Sequence, residues 1–172
     1  TAQVENTASW LKVLADMTGG AAVVVGIDRY DILSQGEGEP DERVYNSVLL
    51  TDGEGKAIAV YDKTPLVPFG EYIPLASGMP IITYLTPISG GMGVGAGPVA
   101  MDAPLRDGGT LRLCPSICYE TVVPHVIRRQ VATLTAEGGR PDALVNVNYQ
   151  YYTGKDYEGY SMRGLAVRYR GE

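Results

Sequence analysis

The sequence predicts an α/β domain, on three observations. A helical segment comes first, with Trp10, Leu11, Val13, Leu14 and Met17 at helical spacing. Short runs of strand length follow at 21–27, which is rich in β-branched residues, and at 44–51, 57–61, 111–113 and 143–147. A second helical pattern at 122–134 falls between two of these runs, and alternation of strand and helix is the α/β signature.

Taken in order, the first helix stops at Gly19-Gly20, a natural C-terminal cap. Ala21–Ile27 reads as a buried strand; it is also the longest apolar stretch and far too short to span a bilayer. Residues 34–43 form a polar, acidic surface loop. The strands at 44–51 and 57–61 are joined by Asp52-Gly-Glu-Gly-Lys56, which supplies the positive-φ glycines of a hairpin turn. From Asp62 to Pro80 the chain is punctuated by Pro and Gly and yet apolar, the composition of a segment that lines a cleft. Ser89–Pro98 is a glycine-rich loop. Leu111–Leu113 runs into Cys114-Pro-Ser-Ile-Cys118, and the helix at 122–134 tolerates Pro124 in its first turn. Ala143–Val147 predicts another buried strand, and 160–170 a final helix.

Composition narrows the chemistry. With 14 Lys+Arg against 20 Asp+Glu the net charge is −6, so no basic stripe exists to neutralise phosphates and no nucleic-acid partner is expected. One His and two Cys argue against an ordinary zinc site and a disulfide-stapled fold. No metal or cofactor is expected. Gly91-Met-Gly93-Val-Gly95-Ala96 imitates a dinucleotide fingerprint, but Gly95, Gly97 and Pro98 would break the helix that must follow. It reads as a loop. His125 reads as an ordinary helix-start histidine, and there is no G-x-S-x-G elbow.

Two segments remain. In Tyr61-Asp-Lys63-Thr-Pro-Leu-Val-Pro-Phe-Gly-Glu71-Tyr-Ile-Pro-Leu75, a lysine and a glutamate bracket a stiff apolar loop directly after a strand. In Leu113-Cys-Pro-Ser-Ile-Cys118-Tyr119-Glu120-Thr121, a strand ends at a cysteine where a helix begins. A thiol there sits at the sheet edge near the positive end of a helix dipole, which favours the nucleophilic thiolate. With no usable histidine, a carboxylate would have to act as base, and Lys63 could stabilise an oxyanion. Residue types alone leave Cys118 open between that role and a buried structural thiol. Cys114, four residues back along the strand, is structural, about 13 Å from Cys118 and too far for a disulfide.

Together, the Lys63–Glu71–Pro74 block and Ile117-Cys118-Tyr119-Glu120 resemble the nitrilase (carbon–nitrogen hydrolase) superfamily, closest to its apolipoprotein N-acyltransferase branch. Val-Gly26-Ile-Asp28, Tyr45-Asn46-Ser47, Val145-Asn146-Val-Asn148 and Leu165–Arg170 stand in the matching order. The resemblance implies a four-layer α/β/β/α sandwich, here a single partial domain over 1–172, incomplete at both ends. It implies Cys118 as nucleophile, Lys63 as the oxyanion-stabilising cation, Glu71 as a second, supporting carboxylate, and Tyr119 and Glu120 as supporting positions beside the nucleophile. The implied activity takes an acyl chain from a phospholipid donor, through a Cys118 thioester, to the N-terminal cysteine amine of an apolipoprotein. The parent protein would sit in a bacterial inner membrane with this domain on the periplasmic face, the fragment itself being soluble. The loops at 63–80 and 149–157 would meet lipid and acceptor.

Three departures accompany the resemblance. The general-base glutamate of the family falls before residue 1, and Glu5 is the only glutamate upstream of Gly26; the chain alone is therefore expected to be inactive. Pro65 stands where the family often has histidine or another polar residue. Asn148-Tyr-Gln-Tyr-Tyr-Thr-Gly154 keeps the aromatic-then-glycine character of its counterpart but has no Trp. A soluble carbon–nitrogen hydrolase with the same chemistry and a non-catalytic binding domain of the same fold are the alternatives.

Overall fold

A computed structural model of the chain describes residues 2–34, 41–66, 92–150 and 161–167. The elements are α1 (Ala2–Met17), β1 (Val23–Ser34), β2 (Asp41–Thr51), β3 (Ala57–Asp62), β4 (Met101–Pro104), β5 (Thr110–Ile117), α2 (Pro124–Gly138), β6 (Ala143–Gln150) and β7 (Ser161–Val167). They build two sheets, one ordered β1-β2-β3 and the other β4-β5-β6-β7.

The first sheet is antiparallel, with Val24 opposite Leu50 and Val48 opposite Tyr61. Its hairpin turns where the sequence placed one: Gly55 has φ +81°, and Asp52 accepts from the backbone N–H groups of Glu54 and Lys56. In the second sheet β5 and β6 are parallel and joined through α2, while β4 and β7 run antiparallel at the edges. Arg112 pairs with Asp102 directly across the β4–β5 ladder.

The sheets pack face to face. Val48, Leu50 and Tyr61 from the first meet Met101, Ala103, Leu113 and Ile117 from the second in one buried cluster. Leu49 and Thr51 alternate onto the opposite face of β2 and are also buried, as a central strand covered on both sides requires. At Gly26 a Cβ would lie 2.7 Å from Val147, so glycine in β1 is what allows β6 to approach. The helices lie outside the sheets. Leu134 and Gln130 of α2 are buried on the β5 side, and the hairpin glycine Gly55 sits directly under the Leu11 backbone of α1. This is the α/β/β/α layering that the resemblance implies.

Four expectations change. The surface loop expected at 34–43 is shorter, because β1 runs on to Ser34 and β2 begins at Asp41, the two strands pairing to their ends. The segment expected as a final helix at 160–170 is strand β7 over Ser161–Val167, paired with β6. Met162, Leu165 and Ala166 satisfy a helical spacing, but a short apolar run cannot be told from a strand by periodicity, and a free sheet edge decides it. Strand β4 was not visible in the sequence pattern: it has four residues and ends in Pro. The α-helix also does not begin at Cys118. A short 3-10 turn, Cys118–Val122, intervenes, and α2 starts at Pro124. The helix-dipole argument for Cys118 is thereby lost.

Candidate active site

Lys63 follows β3 directly, and Cys118 follows β5 directly. Adjacent layers of the sandwich bring these two strand ends together, and the residue that joins them is Glu120. It is 1% exposed. Its Oε2 accepts from the backbone N–H of Ile117 at 2.6 Å, and its Oε1 accepts from the Tyr61 hydroxyl at 2.7 Å. The backbone N–H of Thr64 also bonds it, and the charge of Lys63 acts on it. One carboxylate therefore ties the residues on either side of Lys63 to the residue before Cys118. Burial pushes the Glu120 carboxyl up from its ordinary value, against the opposing pull of Tyr61, the Ile117 and Thr64 amides and Lys63.

Cys118 has φ +50°, the one non-glycine residue with positive φ among the described residues. A side chain in that region costs about 1–3 kcal/mol and persists only where neighbours over-determine it. Here they do. Glu120 grips the Ile117 amide on one side, and Asn146 of β6 donates from Nδ2 to the Cys118 carbonyl at 3.2 Å and to Ser116 Oγ at 3.1 Å. The thiol is partly exposed and packs at the edge of the inter-sheet cluster. Cys114, four residues back, is buried and donates to Gln130 Oε1. Burial and the Glu120 charge push its thiol up to about 11.

Lys63 is 1% exposed, a placement that lysine tolerates only with compensating partners. Its backbone is clamped on both sides: its N–H donates to Asn46 O at 2.9 Å, and its carbonyl accepts from Gly95 N–H at 2.9 Å. The glycine-rich stretch is thus a docking loop and carries no dinucleotide fingerprint. A Cβ on Gly95 would lie 2.0 Å from the Asp62 carbonyl, and one on Gly93 2.5 Å from the Tyr45 ring. Just before Lys63, Asp62 accepts from Arg29 at 2.8 and 3.0 Å and from Ser47 at 2.6 Å. Burial alone would raise the Asp62 carboxyl; Arg29 and Ser47 outweigh it and hold it below its ordinary value. Arg29 also pairs with Asp31 and stacks on Tyr45 at 4.4 Å.

The other expected positions fall as follows. Tyr119 is 57% exposed beside Cys118. Glu71 lies outside the described residues, as do most of the 63–80 and 149–157 loops. Glu5 falls within α1, its side chain likewise outside them. His125 is exposed on the first turn of α2. With Arg129 it lines a cavity of about 460 Å³ that also borders Thr64, Pro65 and Gln130. The sequence reading missed Tyr61 and Gln130, which complete the Glu120 network: Gln130 Nε2 donates to Tyr61 Oη at 2.7 Å. A buried Gln on the inner face of α2 was the available signal.

Among solved structures the chain is similar to an amidase from Nesterenkonia sp., with a TM-score of 0.51 at 19% identity over 97% of this chain and 60% of that one. A variant of that amidase carries the acetamide moiety of fluoroacetamide covalently on its active-site cysteine and gives a TM-score of 0.52 at 17% identity, with the same coverage. Another variant, described as from the nitrilase superfamily, gives 0.50 at 18% over 97% and 61%. The fold is therefore that of the nitrilase superfamily.

Sequence similarity narrows this further. An apolipoprotein N-acyltransferase of Rhizobium rhizogenes is 32% identical over 168 residues, 96% of this chain and 29% of that protein. One from Bdellovibrio bacteriovorus is 37% identical over 121 residues, 69% of this chain and 20% of that protein. The chain is a homologue of the apolipoprotein N-acyltransferases and spans less than a third of the length of these curated relatives. No protein-family model matches it. Among the described residues no helix is long and apolar enough to cross a membrane.

Proposed function

We propose that this chain is the thioester-forming part of an N-acyltransferase, with Cys118 as nucleophile and Lys63 as the cation facing the developing oxyanion. The single observation that carries the reading is the Glu120 bridge, which couples a strained, partly exposed cysteine at one strand end to a buried lysine at the other. Homology to apolipoprotein N-acyltransferases along 96% of the chain supports the same reading. Glu71 is the supporting carboxylate and Tyr119 the exposed neighbour that meets substrate.

In the first half-reaction the Cys118 thiolate attacks the carbonyl carbon of a phospholipid acyl ester. Negative charge collects on the carbonyl oxygen, where a preorganised buried cation is worth most. Collapse breaks the C–O bond; the lysophospholipid leaves as an alcohol, taking up a proton, and the acyl group stays as a Cys118 thioester. In the second, the α-amino group at the N-terminal, lipid-modified cysteine of an apolipoprotein attacks the thioester. The C–S bond breaks, an amide forms, and the amine gives up a proton as the Cys118 thiolate is restored. Each half-reaction therefore needs a proton carrier besides Lys63 and Cys118, the place the resemblance gives to a general-base carboxylate. The protein works at the periplasmic face of a bacterial inner membrane.

The test follows the acyl group. The full-length protein is incubated with phospholipid carrying a radiolabelled acyl chain, then supplied with a peptide bearing an N-terminal diacylglyceryl-cysteine. The expected result is a hydroxylamine-sensitive protein label that moves to the peptide, with neither step seen in Cys118→Ser. Release of label as free fatty acid, with none on the peptide, would make the protein a hydrolase and overturn the reading.

A further inference from the structure

We propose that Gln130 and Tyr61 are positioning residues for Cys118, acting at a distance through Glu120. This rests on the reading of Cys118 as nucleophile. An amide –NH2 can only donate, so Gln130 Nε2, 2.7 Å from Tyr61 Oη, must give its hydrogen to the phenol oxygen. The tyrosine proton is then directed to the carboxylate, Glu120 Oε1 at 2.7 Å, with Thr64 as a further partner of the phenol oxygen. That leaves Glu120 Oε2 as a pure acceptor for the Ile117 N–H at 2.6 Å. Gln130 is itself oriented, because the Cys114 thiol donates to its Oε1 side. The bonds run in one direction from Cys114 through Gln130 and Tyr61 to Glu120, which accepts on both sides and so grips the peptide unit next to the strained residue.

All members of this relay are buried: Tyr61 is 0%, Glu120 1% and Gln130 4% exposed. At Tyr61 and Glu120, a partner lost to a side chain that still fills the space is not replaced by solvent. Without Gln130 the phenol oxygen loses the N–H that anchors it and polarises its O–H, so the bond that Tyr61 donates to Glu120 weakens. Glu120 then holds Ile117 less firmly, and Cys118 relaxes from positive φ. Tyr61, Lys63 and Cys114 are the titratable groups that act on Glu120 in this arrangement. The relay also explains why a glutamine, and no apolar residue, occupies the buried face of α2 at this point.

The test is a double-mutant cycle on the full-length protein with Tyr61→Phe, Gln130→Met and the pair, all near-isosteric so that the core stays filled. Two rates are measured: alkylation of Cys118 by iodoacetamide, which needs no acyl donor, and formation of the acyl-thioester. A thermal melt confirms that each variant is folded. Each single variant is expected to slow both rates about tenfold, the thioester step through kcat with KM nearly unchanged, and the pair to be little worse than either one. Folded variants that alkylate at the wild-type rate, or losses that multiply in the pair, would overturn the proposal. A wild-type protein that alkylates at Cys118 but never forms the thioester would instead overturn the functional reading and leave the relay standing.

Discussion

Cys114 and Cys118 belong to one short stretch of chain, and the sandwich treats them in opposite ways. Cys114 lies inside β5 at 1% exposure, its thiol donating to Gln130 and pushed up to about 11 by burial and the nearby Glu120 charge. Cys118 lies just past the end of the strand, with positive φ, a partly exposed thiol, and its backbone held by Glu120 and Asn146. Both cysteines are free, so chemistry is assigned by backbone position and partners. A thiol in the ladder is desolvated and kept protonated; one at the strand end can meet a reagent. The same carboxylate serves both, opposing ionisation of the first and bracing the turn of the second.

The broadest way to break this contrast is to label both thiols at once. Iodoacetamide is expected to modify Cys118 in the folded protein at least about 100-fold faster than Cys114, which should react at a comparable rate only after denaturation. Peptide mapping at short times checks this, and equal labelling would erase the distinction. Next in size is Lys63→Met. It should lower acyl-thioester formation about 10²–10³-fold, the scale of losing an oxyanion-stabilising group, and leave Cys114 as protected as before. Single-turnover kinetics reads the first and the labelling assay the second.

A smaller effect sharpens the link between the Lys63 end and the cysteine end. Gly95→Ala places a methyl group where only 2.0 Å separates it from the Asp62 carbonyl, so the loop must retreat and release the Lys63 carbonyl. We expect a stability loss of about 1–3 kcal/mol in urea titration, with a slower Cys118 reaction and unchanged protection of Cys114.

The smallest effect is a pH dependence. Folding holds the Asp62 carboxyl below its ordinary value, so the unfolded chain binds the proton more tightly. The stability that Asp62 contributes is therefore complete above the ordinary aspartate range and is lost as pH falls through the folded value. Asp62→Asn should cost about 1 kcal/mol at pH 7, and its deficit should vanish in strong acid. Glu120 has the opposite sign: with its carboxyl raised, its contribution is greatest in acid and declines as pH rises above the ordinary glutamate value. A constant Asp62→Asn deficit from pH 7 to strong acid would contradict the assigned pairing with Arg29.

Much of the scaffold was legible because its signals are local. The helical spacing before Gly19-Gly20, the short apolar runs and the Asp-Gly-Glu-Gly turn each specify their own element, and α1, β1–β3, β5, α2 and β6 form at these places, β1 running further than its apolar run. What escaped depends on partners far along the chain. β4 is too short to show a pattern, and the run at Ser161–Val167 is a strand because β6 offers it an edge. In the site, Lys63 and Cys118 were visible as chemistry-bearing residues at strand ends. Glu120 was visible only as a neighbour of Cys118, since its partner Tyr61 is 59 residues away and the network closes only when the two sheets stack. The described part of the glycine-rich stretch, 92–98, is a loop as expected, but its task of clamping Lys63 and packing on Tyr45 exists only in three dimensions.

On this reading Cys118, and no other group, takes the acyl chain. The most direct measurement is peptide-level mass spectrometry of the full-length protein quenched at acid pH after a short exposure to phospholipid. One acyl mass addition is expected, on the peptide containing Cys118, removed by neutral hydroxylamine and absent from Cys118→Ser. An acyl group on Cys114 or any other residue, or an addition that survives Cys118→Ser, would contradict it.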